Sequence, residues 1–314
     1  MRPTIEVFSP LQMQWEDPQR QALEDAGFTV KWSKRPLAVH LSRTEPDLRV
    51  FMWCDNATLE FLKEYRGATK NIVYIRRYEH FTFPLEKVPW DKVSEIVVLN
   101  DFFAAWVKDR IGREPVVLHN GVDPSRWTYA QHGHGNKIAM VGFVNARKNF
   151  PLAMQIMAQL DRGKELHVAG DIHDGEVFNY LTAFGRSLGI DGTFYGEVDD
   201  IDGWLEDKNY LLCTSISEGW PNNVIEAMAK GIKPIIHAWP GSDPLNEHIF
   251  YTVHDAVGMM GPESEYLSRN YREHVCQRFG RGQFKAFADL CMKEVSIGES
   301  TATDRAPAYE AYPG

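Results

Sequence analysis

The sequence has little cysteine and no long apolar run. Its four cysteines are far apart, with no Cys-x-x-Cys pair among Cys54, Cys213, Cys276 and Cys291. This spacing predicts reduced, buried thiols of the kind found in cytoplasmic proteins. No run approaches the roughly 18 apolar residues that span a membrane. The first residues, MRPTIEVFSP, lack the apolar centre of a secretory signal. We therefore expect a cytoplasmic protein.

The chain is also short of basic residues. Lysine and arginine number 34 against 43 aspartates and glutamates, which gives a formal net charge of -9. A duplex-binding protein needs a basic face, so we expect no stable nucleic-acid binding. The hydrophobic fraction of 44% and the charged fraction of 25% are ordinary for a folded protein. A chain of 314 residues then predicts two domains.

Apolar runs alternate with helical patterns along both halves of the chain. Runs of this kind, each followed by a helix, predict parallel strands covered on both faces. The clearest are LRVFMWCD, NIVYIR and SEIVVLN in the first half, and KIAMVGF, ELHVAGD, YLLCTS and KPIIHAW in the second. The sequence therefore predicts an α/β protein of two Rossmann-like domains, with ligands at the carboxyl ends of the strands.

The predicted boundaries follow breaks in this alternation. Residues 1–123 form the first domain, 124–136 a linker, 137–262 the second domain, 263–297 the carboxy-terminal helices and 298–314 a loose tail. The linker contains His132 and His134, which are either a metal-ligand pair or part of a flexible connection. No cysteine or carboxylate lies at ligand spacing, which favours the connection.

The segment SEGWPNNVIEAMAKG carries the strongest chemical pattern. Glu218 lies in the loop after the buried strand YLLCTS, and Pro221 suits the first turn of the next helix. The amino end of that helix favours an anion such as a phosphate. Glu226 lies about one turn into the helix. Two carboxylates beside a phosphate site are useful if they accept hydrogen bonds from hydroxyls, so the pattern predicts a nucleotide-sugar site.

This segment resembles the E-x₇-E motif of retaining glycosyltransferases of the GT-B fold, family 4 in particular. The likeness covers residues 115–260 through LHNGVD, VGFVNARKN, LHVAGD, FYGEVDDIDGWL and HAWPGSDPL. It implies two facing Rossmann-like domains, with the carboxy-terminal helices crossing back to the first. It also implies hexosyl transfer from a UDP- or GDP-type sugar to a hydroxyl acceptor, with retention of configuration, in glycan or glycoconjugate biosynthesis.

The resemblance assigns roles to individual residues of the second domain. Glu218 would bind the donor sugar, Glu226 the ribose hydroxyls and Lys148 the pyrophosphate. Phe143 stands where relatives have an arginine, so Arg147 is the candidate for the second positive charge; Glu218, Lys148 and Arg147 are the catalytic candidates. The remaining donor-binding candidates are Gly142, Val198, Gly219, Trp220, Pro221, Asn222 and Asn223.

The same resemblance implies that no metal or other cofactor is needed. Lysine, arginine and a helix amino terminus would replace the cation. The segment DDID, at positions 199–202, has the D-x-D spacing of a metal motif in a different transferase fold. It directly precedes the short helical pattern GWLED, so we expect it to cap that helix.

The acceptor side is sought in the first domain. The segment IRRYEHF follows a strand and resembles a His-Arg-Tyr-Glu segment of some relatives, with Arg76 in the place of the histidine and His80 offset. Arg76, Arg77, Glu79 and Gln12 are the acceptor-side candidates; for the first three, a structural ion-pair role stays open. His119 is expected to be structural.

Other functions also stay open at this level. They are a catalytically silent sugar-nucleotide-binding subunit, a GT-B nucleotide-sugar epimerase and a nucleic-acid-modifying glycosyltransferase. The pattern indicates no obligate protein partner, and peripheral membrane association stays open.

Overall fold

A computed structural model describes residues 2–11, 16–34, 45–161 and 163–303, with side chains described up to Ser296. The chain divides into two compact units. The first takes the chain up to His119 and again from Gln283 onward, and the second runs from Asn120 to Gly282. Each unit contains one six-stranded sheet whose strands pair in parallel. The predicted α/β class with two Rossmann-like parallel sheets is confirmed.

The sheet of the first unit has the strand order β2-β1-β3-β4-β5-β6. Its strands are β1 Thr4–Phe8, β2 Thr29–Ser33, β3 Leu48–Phe51, β4 Lys70–Tyr74, β5 Glu95–Val98 and β6 Val116–Val117. Its helices are α1 Asp17–Asp25, α2 Asn56–Glu64, α3 Arg77–Thr82, α4 Asp101–Ile111 and the last helix of the chain, α11, Gly282–Thr303.

Side-chain caps and aromatic packing explain these elements. Asp55 accepts a hydrogen bond from the Thr58 backbone N–H over 2.8 Å and so begins α2. The buried rings of Phe8, Phe51 and Phe61 pack together with centroids 5.2 to 6.3 Å apart. One face of the sheet is thereby covered by α2, as the apolar runs predict.

The sheet of the second unit has the order β12-β11-β10-β7-β8-β9. Its strands are β7 Lys137–Val141, β8 Glu165–Ala169, β9 Asp191–Phe194, β10 Tyr210–Cys213, β11 Lys233–His237 and β12 Ile249–Phe250. Its helices are α5 Phe150–Gln159, α6 Gly175–Leu188, α7 Ile201–Leu205, α8 Asn222–Lys230, α9 Val253–Met260 and α10 Ser268–Phe279.

The two carboxy-terminal helices belong to different units. In α10, the Ser268 hydroxyl donates to the Gly231 carbonyl over 2.8 Å, which holds this helix to the end of α8. In α11, the ring of Phe287 packs edge-on against Tyr74 at 5.9 Å. The prediction assigned both helices to the first domain; the structure groups only α11 with it.

The segment predicted as a linker is bound to the second unit. The Lys230 ammonium donates to the Thr128 carbonyl over 3.0 Å. His134 uses both ring nitrogens, one with the Tyr210 hydroxyl and one with the Ser264 carbonyl, each at 2.7 Å. These bonds make His134 a structural residue. Within the described residues, no cluster of three or more His, Cys, Asp or Glu side chains is arranged to hold a metal ion.

The structure shows the state of the cysteines and the apolar content of the helices. All four cysteines are free thiols, three of them buried and Cys276 partly exposed. Burial raises the pKa of Cys213 and Cys276, which keeps these thiols protonated. Over the described ranges, no helix has both the length and the apolar content to cross a membrane.

Candidate functional site

Two loops at the carboxyl ends of the neighbouring strands β7 and β10 form the candidate site. The loop after β7 runs through residues 142–149, and the loop after β10 runs through residues 214–221. Ile216 N–H donates to the Arg147 carbonyl over 3.0 Å, and the Thr214 hydroxyl donates to the Lys148 carbonyl over 2.7 Å. The two loops are therefore held together by one backbone bond and one hydroxyl-to-backbone bond.

Glu218 is the centre of this site. Its Oε1 atom accepts hydrogen bonds from the Ser215 hydroxyl at 2.7 Å and the Lys148 ammonium at 2.8 Å. The same oxygen lies 2.6 Å from a guanidinium nitrogen of Arg147. Burial acts to raise the pKa of Glu218, but the charges of Lys148 and Arg147 outweigh it and leave the pKa below its usual value. The group is thus an ionised carboxylate between two cations.

Gly142 makes room for the Lys148 side chain. Its φ is 127°, a left-handed conformation that favours glycine. A Cβ atom at this position would lie 2.9 Å from Cε and 3.2 Å from Nζ of Lys148. At the end of β8, a Cβ on Gly170 would lie 2.2 Å from the Gly142 carbonyl oxygen. The glycines thus let the loops after β7 and β8 approach closely and set the path of Lys148.

The amino end of α8 is anchored to β7. The Asn223 side-chain amide donates to the Val141 carbonyl over 2.8 Å. Asn222 accepts a hydrogen bond from the Asn120 amide over 3.1 Å. Pro221 occupies the position before the helix, not its first turn as predicted. The Asn222 N–H donates to the Trp220 carbonyl over 3.1 Å, so this end of the helix offers fewer free donors than the sequence predicts.

Glu226 contrasts with Glu218. It lies one turn into α8 and has no hydrogen bond or ion pair within the part of the chain that the structure describes. Part of its side chain reaches solvent, but protein atoms crowd the carboxyl, and this desolvation raises its pKa to about 7. A carboxyl in these surroundings gains most from a ligand that donates hydrogen bonds to it.

The remaining donor-side candidates lie around these loops. Trp220 is buried, and its ring packs on Phe279 with centroids 4.8 Å apart. Phe143, at the position where the resemblance implies an arginine, is 47% exposed and stacks on His173 at 3.8 Å. Val198 is half-buried in the loop after β9, two strands away from β7. The structure thus brings Gly142, Lys148, Arg147 and Glu218 together, and Val198 makes no hydrogen bond or ion pair with them in the described part of the chain.

The aspartates of DDID have structural partners. Asp200 accepts a hydrogen bond from Gly203 N–H over 2.9 Å and caps α7. Asp202 accepts from the Lys230 ammonium at 2.5 Å and from Thr128 N–H at 3.0 Å. The prediction of a helix cap is confirmed for Asp200, while Asp202 joins two segments of the second unit.

The acceptor-side candidates lie at the carboxyl end of β4 in the first unit. Arg76 is buried, donates to the Met52 carbonyl over 3.0 Å and lies 4.8 Å from the Tyr74 ring centroid. Glu79 is buried and accepts from Cys54 N–H over 3.1 Å, and burial raises its pKa to about 7. The Arg77 guanidinium lies over Phe81 at 5.1 Å. Gln12 lies outside the described residues.

The two flanking histidines are structural. His80 is buried and stacks on Phe103 at 4.0 Å, and burial lowers its pKa to about 3. Neither ring nitrogen of His80 has a hydrogen-bond partner in the described residues. His119 bonds to the Leu99 carbonyl over 2.8 Å, as expected of a structural histidine.

Sequence reasoning missed two buried polar residues. Ser215 donates to Glu218 and is fully buried. Its position three residues before the glutamate in one loop is the signal that identifies it. Glu16 is also buried, and it accepts from the Ser9 hydroxyl over 2.6 Å at the end of β1. A glutamate at the start of a polar helix gives no sign of burial in the sequence.

Comparisons with known proteins give a family match for part of the chain and relatives of its fold. Residues 123–250 match the family model described as glycosyl transferases group 1. No curated protein matches the chain in sequence. Anabaena HepE in complex with UDP-glucose has a similar structure, with a TM-score of 0.73 and 14% identity, covering 95% of this chain and 99% of that one.

Two further solved structures share the fold. The lipopolysaccharide outer core galactosyltransferase WaaB, in its apo form, has a TM-score of 0.70 and 15% identity, covering 95% of this chain and 99% of that one. AviGT4, a glycosyltransferase involved in avilamycin A biosynthesis, has a TM-score of 0.66 and 14% identity, covering 96% of this chain and 98% of that one. The predicted GT-B fold is confirmed. The stretch that matches the glycosyl transferase group 1 model lies within the second unit, and the cluster around Glu218 lies within that stretch.

Proposed function

We propose that this chain is a retaining glycosyltransferase of the family 4 type, which moves a hexosyl group from a UDP- or GDP-sugar to a hydroxyl acceptor. The observation that carries the proposal is the pair of cations, Lys148 and Arg147, on one oxygen of Glu218 beside α8. A glycosyl transferase group 1 match over residues 123–250 supports the reaction type. The structures of HepE with UDP and with UDP-glucose support a nucleotide-sugar donor.

The two cations suit the diphosphate of such a donor. Negative charge builds on the diphosphate as its bond to the sugar breaks, and fixed positive groups stabilise this charge. The Lys148 side chain lies in the space that Gly142 leaves open, and the Arg147 guanidinium donates to the Ser217 carbonyl in the loop after β10. Because these groups supply the positive charge that a divalent ion supplies elsewhere, we propose a reaction that needs no metal.

The two carboxylates suit the hydroxyls of the same donor. Glu218 would accept hydrogen bonds from the sugar. Glu226, which has no hydrogen-bond or ion-pair partner among the described residues, would accept them from the ribose. A hydrogen bond to a charged group contributes about 1.5–3 kcal/mol. In the retaining reaction, the acceptor oxygen bonds to the anomeric carbon on the face from which the diphosphate leaves, and the acceptor proton passes to the diphosphate. This route requires no carboxylate nucleophile.

A thermal-unfolding screen with UDP, GDP, ADP and their sugars tests the proposal first. We expect one nucleotide and its sugars to raise the unfolding temperature, and Lys148→Ala to abolish the shift. Lys285→Ala is the matched control, because this lysine is exposed on α11. NMR of the sugar released or transferred then gives its anomeric configuration. Binding of no nucleotide would refute the proposal, and an inverted product would refute retention.

A catalytically silent sugar-nucleotide-binding subunit is the second candidate. The observation that favours it is Phe143, whose ring stacks on His173 at the position where the resemblance implies an arginine. Such a subunit would bind the nucleotide sugar in the same screen but neither hydrolyse nor transfer the sugar across a panel of labelled donors and acceptors.

A further inference from the structure

Glu218 uses the same donors that a diphosphate would need. Its Oε1 atom lies 2.8 Å from the Lys148 ammonium and 2.6 Å from the Arg147 guanidinium. On the basis of the proposed function, we infer that Glu218 competes with the diphosphate for both cations. This competition lets the site retain the intact donor while weakening its hold on the nucleoside diphosphate product.

The competing arrangement is built into the loops. The side chain of Glu218 is only 10% exposed, and the Ser215 hydroxyl holds the same oxygen at 2.7 Å. The Lys148 side chain lies over Gly142, where there is no Cβ atom, and the Arg147 backbone is held by the bond from Ile216 N–H to its carbonyl. An anion that reaches these cations must therefore draw hydrogen bonds away from a buried carboxylate whose own position is fixed.

The cost of this exchange depends on what the anion carries with it. A buried charge that loses its partners is destabilised unless new donors replace them. An intact nucleotide sugar brings sugar hydroxyls that can donate to Glu218 in exchange for Lys148 and Arg147. A nucleoside diphosphate brings none at that position, so of the hydrogen bonds described for Glu218 only the one from Ser215 remains. The site therefore discriminates between donor and product, although both carry the same diphosphate.

Glu226 provides an internal comparison. It is the other carboxylate of the motif, but it makes no ion pair with either cation in the described chain. It cannot compete with the diphosphate in the same way. Loss of the Glu226 charge should weaken the binding of the nucleoside part of a ligand and leave the binding of inorganic pyrophosphate unchanged.

Titration calorimetry with inorganic pyrophosphate tests the competition directly. We expect Glu218→Gln to bind pyrophosphate, and the nucleoside diphosphate selected by the screen, about tenfold more tightly than the unmodified protein. Glu226→Gln should leave pyrophosphate binding unchanged and weaken the binding of the nucleoside diphosphate. Unchanged or weaker pyrophosphate binding in Glu218→Gln would overturn the inference.

A second variant keeps the inference testable if Glu218→Gln does not fold. Glu218→Asp keeps the charge but withdraws it by one methylene from Lys148 and Arg147, so it should tighten pyrophosphate binding by a smaller factor. Far-UV circular dichroism and the unfolding temperature establish that each variant is folded. If Glu218→Gln is unfolded, an Asp variant that is folded and binds no more tightly overturns the inference.

The outcome is separable from that of the proposed function. Pyrophosphate binding requires no sugar transfer, so tighter binding in Glu218→Gln without transfer by the unmodified protein would support the competition and refute the transferase proposal. Transfer with equally strong product inhibition in the Gln variant and the unmodified protein would refute the competition alone.

Discussion

The side chain of Lys148 lies directly over Gly142, with Cε only 2.9 Å from where a Cβ atom would be. We expect Gly142→Ala to displace the ammonium and to strain a backbone whose φ is 127°. Nucleoside diphosphate affinity should fall about tenfold, equivalent to about 1.4 kcal/mol. Calorimetry measures the loss.

Gly175→Ala is the control for this substitution. Gly175 begins α6, and no atom lies within 4 Å of a Cβ placed there. This variant should bind as the unmodified protein does. Equal affinity in the Gly142 and Gly175 variants would show that the position of Lys148 does not limit binding.

Glu218→Gln should lower turnover more than it lowers affinity for the intact donor. The sugar gains positive character in the transition state, so a negative charge beside it matters more there than in the ground state. Loss of one contact of about 3 kcal/mol reduces the rate on the order of a hundredfold. Steady-state kinetics on the donor separate the two parameters.

Lys148→Ala should lower both the turnover and the affinity for the donor, because the diphosphate is charged before and after cleavage. Glu226→Gln should act mainly on donor binding. If Glu218→Gln weakened the binding of the plain nucleoside diphosphate as much as Glu226→Gln does, the assignment of one glutamate to sugar and the other to ribose would be wrong.

The pKa of Glu226 makes a prediction about stability. Desolvation raises this pKa from 4.5 to about 7, so the folded state holds a proton that the unfolded state releases between these values. The buried charge then costs stability progressively from pH 4.5 to pH 7, and fully above it. Glu226→Gln should stabilise the unliganded protein by about 1–3 kcal/mol at pH 8, a range reduced for the partial exposure of the side chain.

At pH 4 the difference in stability between the two proteins should be small, since the carboxyl is then mostly protonated in both states. Urea titrations at the two pH values test this. The unmodified protein should bind the nucleotide most tightly above pH 7, because the ionised form of Glu226 accepts the ribose hydrogen bonds. Its affinity should decline as the pH falls below 7. A stability difference independent of pH would contradict the assignment to this carboxyl.

Phe143→Arg should strengthen diphosphate binding several-fold. The ring is 47% exposed, so the substitution disturbs little of the core, and it adds a positive charge next to Gly142. Tyr180→Arg is the matched control, an aromatic residue of the same unit that is 45% exposed on α6. Pyrophosphate titrations that find the same change in both variants would indicate a general effect of charge.

Chelation tests the role assigned to the two cations. Transfer should continue in EDTA at an unchanged rate, because Lys148 and Arg147 would carry the charge of the leaving diphosphate. The measurement is an initial rate before and after chelation, with manganese and magnesium added back. A strict requirement for either metal would contradict the assignment.

The strands and the glutamate motif were accessible from the sequence for physical reasons. Buried parallel strands are apolar on both faces, so YLLCTS and KPIIHAW stand out as β10 and β11. The place of Glu218 then follows, because a loop after a parallel strand lies at the carboxyl end of the sheet.

Pairings between distant residues were not accessible in this way. Lys148 and Glu218 are 70 positions apart, and each had a separate role in the prediction, whereas the structure pairs them directly. The prediction also assigned no role to Lys230 or Arg272, and both donate to backbone carbonyls of the segment predicted as a linker. Contacts of this kind depend on three-dimensional packing that periodicity does not encode.

The return of α11 to the first unit affects the design of chimeric enzymes. Phe287 contacts Tyr74, and Lys70 forms an ion pair with Glu294 at 3.4 Å, so the first unit draws packing from both ends of the chain. Replacement of the second unit by that of another protein therefore needs two junctions, one after His119 and one after Gly282. A single crossover would combine the amino-terminal strands with an unrelated terminal helix and lose both contacts.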